Sequence, residues 1–285
     1  MTVLFDGIAS GMLLFLISVG LSVTLGLMNF VNLAHGSFAM VGGYVCVTLL
    51  NKAGVPFLAC LPLAALATAL VGVALEHTLY RRLYTATHLD QVLFSLALVF
   101  MSMSAMQYFF GAQQQPLNLP DFLKGQINLP GLDMGIYRLF LIAVSLLIAF
   151  GLQSMVSGTR FGAQLRASVD NPRTARGVGI NVERIFTLTF ALGSALAGLG
   201  GAMGVEMLGL DPGFPVKYIV YFLIVVAVGG SGSITGSLVA SLILGVVDVA
   251  GKYYVPQVGS FVIYAVMVVM LVFRPQGLFG RMAAR

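Results

Sequence analysis

The sequence predicts an all-α polytopic membrane protein of about 8–9 transmembrane segments, and three observations predict it. Of 285 residues, 59% are hydrophobic and 9% charged, against roughly 25% charged in a soluble domain. The few charges leave uncharged intervals at 53–75, 91–120, 139–159, 185–205, 218–247 and 253–273. Several are about 21 residues, which as helix crosses a hydrocarbon core of about 30 Å. Finally, the short alternating segments of a transmembrane β-barrel are missing.

The segments read, in order, as 8–28, 36–51, 57–80, 92–110, 138–156, 185–205, 217–229, 236–250 and 258–273. The opening "MTVLFDGIASGMLLFL" has no Lys or Arg. It therefore lacks the basic n-region of a cleaved signal peptide and reads as an uncleaved span. Residues 7–51 carry no Lys, Arg, Asp or Glu. As one helix they would reach about 68 Å, so "NFVNLAHGS" reads as a break between two segments. Asn29, Asn32, His35 and Gly36 fall at that break, where polar side chains satisfy freed backbone groups or line a pathway. A second break lies at "GGSGSITGS", 229–237, with Gly230 and Gly232 inside it. Its flanks of about 11 and 12 residues extend only about 16–18 Å as helix, which suggests a hairpin that is re-entrant or formed of short, tilted helices. Broken backbone at membrane depth needs cover from protein or water, so both breaks point to a cavity or a subunit contact.

Placement of the cations gives an orientation. Arg81 and Arg82, then Arg160, Arg166, Arg173, Arg176 and Arg184, then Arg274, Arg281 and Arg285 form three basic regions, expected to face the cytoplasm. Lys52, Lys124 with Arg138, Lys217 and Lys252 are sparser and expected outside. The N-terminus then lies outside and the C-terminus inside. Tyr80, Tyr84, Tyr253 and Tyr254 sit where interfacial aromatic belts are expected.

Two connections stand out within a single transmembrane domain spanning 1–285. The outer one, 112–135, is polar, holds three prolines and is long enough for a docking surface. The inner one, 158–184, contains "DNPRTARGVG", a short helix with both ends marked. Asn171 takes the N-cap, Pro172 the first helical position, and Gly177 or Gly179 the stop. At under two turns it needs a partner surface to be ordered. Arg173 and Arg176 share a face that suits an acidic groove; the plain alternative is that the arginines only satisfy the positive-inside bias.

Few residues suggest chemistry. Cys46 and Cys60 lie in apolar segments as small hydrophobes. His35, His77 and His88 are scattered, and no H-E-x-x-H, G-x-S-x-G or phosphate-binding G-x-x-x-x-G-K-[ST] occurs. Of the carboxylates, Glu76 precedes "HTLYRR" and reads as a local ion pair with Arg81 or Arg82. Glu206 and Asp248 end apolar segments and are candidates for an outer pathway mouth. Asp211-Pro212-Gly213 reads as a turn. The small residues of "ALGSALAGLGGAMG", 191–204, allow close helix packing, including packing against a second subunit.

"RASVDNPRTARGVGIN", 166–181, resembles the coupling loop of ABC-importer permeases, and specifically of the branched-chain amino acid permease family. Arg166, Ala167, Asp170, Ala175, Gly179 and Ile180 fall in that family's register. "GLMNFVNLAHGSFAMVGGY", "GGAMGVEMLGLDPGF", "VGGSGSITGSLVASLILGVVD" and "RPQGLFG" are similar to its other segments, in order along nearly the whole chain. The resemblance implies an ABC-importer permease fold in a bacterial inner membrane. It implies import of branched-chain or related amino acids, with no cofactor or metal on this chain and ATP bound by partners. Those partners are a second permease, two ATPase subunits and a periplasmic binding protein. Two other classes remain as readings of the residues: a stand-alone channel or secondary transporter built on the broken helices, and, more weakly supported, a membrane-embedded enzyme.

Overall fold

A computed structural model describes residues 1–28, 30, 32–84, 86–129, 132–274 and 276–279. Among the described residues, nine apolar helices follow the nine segments read from sequence: α1 Thr2–Met28, α2 His35–Asn51, α3 Phe57–Thr78, α4 His88–Phe110, α5 Ile136–Gly158, α8 Val182–Leu208, α9 Phe214–Gly229, α10 Ile234–Tyr254 and α11 Gly259–Phe273. Six of them, α1, α3, α4, α5, α8 and α10, are each long and apolar enough to cross a membrane. Between α5 and α8 stand α6 Arg160–Asp170 and α7 Pro172–Gly177. Asn29, Arg281 and Arg285 lie outside the described residues.

Small residues set the packing because they let backbones meet. On α1, a Cβ at Gly11 would come 2.6 Å from the Ser241 carbonyl of α10, and one at Gly20 would come 2.4 Å from the Gly193 carbonyl of α8. The glycine face of α8 is used entirely within the chain. Gly198 meets Gly42 of α2 and Thr68 of α3, Gly200 meets Ile17, and Gly201 meets Ala39. Packing of these residues against a second subunit, entertained from the sequence, therefore has no room here. Helices α1, α2, α8 and α10 form the enclosed centre. Around it, α4 leaves Leu93, Phe100, Met101 and Phe109 exposed, and α11 leaves Phe261, Val268 and Val272 exposed, the surface a hydrocarbon solvent covers.

Three sequence expectations change. The second hairpin is not made of half-length flanks: α10 is 21 residues, about 31 Å of helix. It continues through Gly236 and Ser237, which pack tightly on α9, and through Asp248, whose charge is met one turn later by Lys252 at 2.6 Å. The inner connection is largely helical, because Thr159 caps α6 by accepting from Gly162 N at 3.2 Å while Leu165 and Ser168 turn inward. The 112–135 connection folds into a 3-10 turn, Asp121–Leu123, and an antiparallel hairpin of β1 Gln126–Leu129 with β2 Leu132–Gly135. It reaches back over the end of α8, where Gln115 N donates to Leu210 O at 2.8 Å.

Candidate functional site

The short helix α7 is built from its ends. Asn171 Oδ1 accepts from Arg173 N at 3.1 Å and Thr174 N at 3.0 Å, and Pro172 takes the first position, where no N–H is needed. At the other end Gly179 has φ +85. Ile180 N returns to Ala175 O and Gly179 N to Arg176 O, each at 3.0 Å, the paired bonds of a Schellman stop. One side chain, Ala175, is buried; Arg173, Arg176 and Val178 are exposed. Ala167 is half-buried and Asp170 exposed, closing α6 at the bend. A cavity of about 550 Å³ runs under this bend, bounded by Arg173, Arg176, Arg81, Glu183 and Phe186. Arg81 is ion-paired with Glu183 at its edge.

Arg166 ties α6 to the bundle by donating to the Val156 carbonyl at the end of α5. It also lines a cavity of about 320 Å³ with Gly26, Gln153, Gly232 and Phe279. That cavity is where the glycine-rich turn between α9 and α10 arrives. Gly230 and Gly232 adopt φ +92 and +82, open to glycine at no steric cost. Gly232 N donates to Ser22 O at 3.2 Å, and a Cβ at Gly26 would sit 1.8 Å from Gly232 N. The 276–279 segment caps α9: Leu278 N donates to Val228 O at 2.7 Å and Phe279 N to Gly229 O at 3.2 Å. One end of the bundle therefore gathers α6, α7, the glycine-rich turn, the end of α1 and the C-terminal segment.

At the first break the connection folds back, so that α2 starts beside the middle of α1. His35 is buried, and its Nε2 lies 2.8 Å from Ile17 O, about 16 Å of helix before the end of α1. Asn32 Oδ1 accepts from Tyr80 Oη at 3.0 Å and Ala34 N at 3.1 Å. Gly36 passes Pro215 of α9, with 3.1 Å between its would-be Cβ and Pro215 Cα.

A family model for the permease component of the branched-chain amino acid transport system matches residues 3–271. The chain belongs to this family. It is 27% identical to the high-affinity branched-chain amino acid transport system permease protein BraD of Pseudomonas aeruginosa, over 98% of this chain and 95% of that one. It is 28% identical to the probable permease protein LivH of Methanocaldococcus jannaschii, over 94% and 89%. Against the permease protein LivM of Salmonella typhimurium identity is 23%, over 94% and 68%. No solved structure matches.

In this permease the carboxylates sort differently from their sequence reading. Glu76 makes no ion pair with Arg81, which is held by Glu183. It lies 1% exposed between α3 and α8, accepting from Tyr84 Oη at 2.9 Å and Thr187 Oγ1 at 2.8 Å. Tyr84's own burial, and then the charge of Glu76 beside it, push the Tyr84 hydroxyl well above its ordinary range, so Tyr84 stays a donor. Tyr80 likewise leaves the predicted aromatic belt and is fully buried against Phe30, Phe94 and Phe190. Asp248 lies inside α10 rather than at its end, with Oδ1 buried and without a hydrogen-bond partner among the described residues. Glu206 is exposed at the far end from α7, lining a cavity of about 720 Å³. Lys124 lines the same cavity, and its hydrogen bond to Asp121, outside the cavity, holds the Asp121 carboxyl below the usual carboxylate range. The Glu76 node escaped sequence reading because its two hydroxyl partners lie 8 and 111 residues away; only an acidic residue near the end of an apolar run signalled it.

Proposed function

We propose that this multi-pass permease is the membrane subunit of an ATP-driven importer for branched-chain or closely related amino acids. It forms the pathway with a second permease in a bacterial inner membrane and receives substrate from a periplasmic binding protein. Its N-terminus lies outside, its C-terminus inside, with 112–135 outside and 158–184 in the cytoplasm. Hydrolysis belongs to two separate ATPase subunits, consistent with a sequence that contains no phosphate-binding lysine loop.

The observation that carries this reading is the α6–α7 bracket. Arg173 and Arg176 stand exposed on a helix of six residues, with Val178 exposed just past its end; the helix is too short to order itself in water yet fixed at both caps. Behind it, Arg166 bonds the end of α5 and lines the cavity that the glycine-rich turn and α1 share. A push on α7 therefore reaches three helix ends at once. Cations on an exposed helix face suit an acidic cleft in the ATPase, where each charge-assisted bond is worth about 1.5–3 kcal/mol.

The test is uptake of L-leucine by the assembled transporter in proteoliposomes. The double change Arg173→Glu with Arg176→Glu, and separately Gly179→Val, should lower ATP-dependent uptake at least about tenfold while the subunit keeps its elution profile. Full uptake by either variant rejects the coupling role. Transport by the purified chain alone, without ATPases, would instead favour a channel.

A further inference from the structure

The end of the bundle away from α7 carries a cavity that the coupling role does not use. It lies over the starts of α1 and α5 and the end of α8, roofed by the 3-10 turn and the hairpin, with a volume of about 720 Å³. That is within the roughly 300–1,000 Å³ usual for small-molecule sites. Its walls differ in character. Arg138 of α5 donates one Nη1 bond to Asp6 of α1, itself half-buried, and this fixes the guanidinium. The other N–H groups of the Arg138 side chain have no acceptor among the described residues. Glu206 of α8 and, on the hairpin, Asp133 line the same cavity, and neither carboxylate has an ion pair or a side-chain hydrogen bond among the described residues, while Lys124, also in the lining, is taken by Asp121; Glu206 is the one on the wall with Met207. Leu119, Leu123 and Met207 supply an apolar side.

A fixed guanidinium with spare donors, an unpaired carboxylate and an apolar wall are the three complements of one ligand class: a free α-amino acid with an aliphatic side chain. We propose that this cavity is an outer vestibule that binds such an amino acid before it enters the membrane. Arg138 forks onto the α-carboxylate, a geometry that suits a planar guanidinium. Glu206 accepts from the α-ammonium, and the side chain lies against Leu119, Leu123 and Met207. Asp6 positions Arg138 without touching the ligand. The assignment rests on the importer reading above and gives it a place for the substrate.

The experiment uses the assembled transporter in nanodiscs without its binding protein, and radiolabelled L-leucine as the probe. Wild type should bind leucine saturably, with 4-methylpentanoate, which lacks the ammonium, and L-leucinamide, which lacks the carboxylate, failing to compete. Glu206→Gln and Arg138→Gln should each weaken binding about tenfold or more, with Arg138→Lys recovering part of the loss. Because Arg138 also holds α1, Met207→Trp serves as a variant that fills the cavity and leaves both charges in place; it should abolish leucine binding without changing the melting profile. If wild type imports leucine on ATP while Glu206→Gln and Met207→Trp change neither leucine binding nor the KM for uptake, the vestibule is rejected and the importer stands. If these variants weaken capture of the binding protein and leave leucine binding unchanged, the cavity is a protein-docking surface and the proposal is overturned. If wild type imports no α-amino acid at all, the importer reading itself falls.

Discussion

The two broken hairpins solve one problem with different materials. Where α1 gives way to α2, the break is held by side chains: Asn32 accepts from Tyr80 and Ala34, and His35 reaches Ile17 O. Where α9 gives way to α10, one side chain, Ser233, caps α10 by accepting from Gly236 N, and the rest of the hold is backbone: Gly232 N on Ser22 O, Leu278 N on Val228 O, Phe279 N on Gly229 O. Buried backbone groups must find partners in either case. The side-chain solution leaves only a little room, since a Cβ on Gly36 would come 3.1 Å from Pro215 Cα, tighter than an ordinary contact but relieved by a shift of a few tenths of an ångström. The backbone solution has none, and it is the one that borders Arg166 and the α6–α7 bracket.

The comparison breaks most visibly at Gly26. A single methyl there would lie 1.8 Å from Gly232 N and 2.0 Å from Gly232 Cα. No rotamer relieves a clash between two main chains, so α1 and the turn must separate. Overpacking a core ordinarily costs about 1–3 kcal/mol, and Gly26→Ala should exceed the upper end. Thermal unfolding of the detergent-purified subunit, followed by size exclusion, measures it. A variant with the wild-type melting profile would show that the glycine turn has as much slack as the first break.

His35→Ala probes the other material and should be milder. It removes a buried ring and its bond to Ile17 O, but that carbonyl lies within α1 and keeps its place in the helix ladder. Together the lost packing and hydrogen bond amount to about 2 kcal/mol. The expected result is a lower melting temperature with the KM for leucine uptake unchanged. A raised KM at wild-type stability would instead put His35 in the pathway.

The same contrast governs what the sequence made legible. The apolar runs and their spacing located every long helix, because hydrophobic length is local information. Both breaks were visible too, one as polar residues in an uncharged run and one as clustered glycines. Asn171, Pro172 and Gly179 marked the ends of α7 for the same reason, since caps act on backbone within a few residues. What stayed hidden was long-range. Polar and charged composition made 160–170 resemble a loop, although the buried Gly162, Leu165 and Ser168 recur at helical spacing. Asp248 looked like a segment end because its neutraliser, Lys252, is recognised as such only once both lie on one helix. Glu76 was assigned the nearest arginine, whereas burial gave it two hydroxyls and left Arg81 to Glu183. At the far end, the cavity that brings Arg138 and Glu206 together depends on a hairpin that sequence alone presented as a polar loop.

The smallest effect separates hydrogen bonding from packing inside the first break. Tyr80 is fully buried, with its ring edge-on to Phe30 and Phe94 and its hydroxyl 3.0 Å from Asn32 Oδ1. Tyr80→Phe keeps the ring and deletes only the hydroxyl. Asn32 Oδ1 retains the Ala34 N donor at 3.1 Å, so no buried acceptor is stranded. The loss should be about 0.5–1.5 kcal/mol, the range of a net hydrogen bond, with measured values between membrane helices near the lower end. Tyr80→Ala, which also empties the aromatic cluster, should cost about 3 kcal/mol or more. If the two variants melt alike, the hydroxyl rather than the ring holds the break. If Tyr80→Phe melts as wild type while Tyr80→Ala unfolds, the first break is held by packing, and the contrast with the glycine turn narrows to His35.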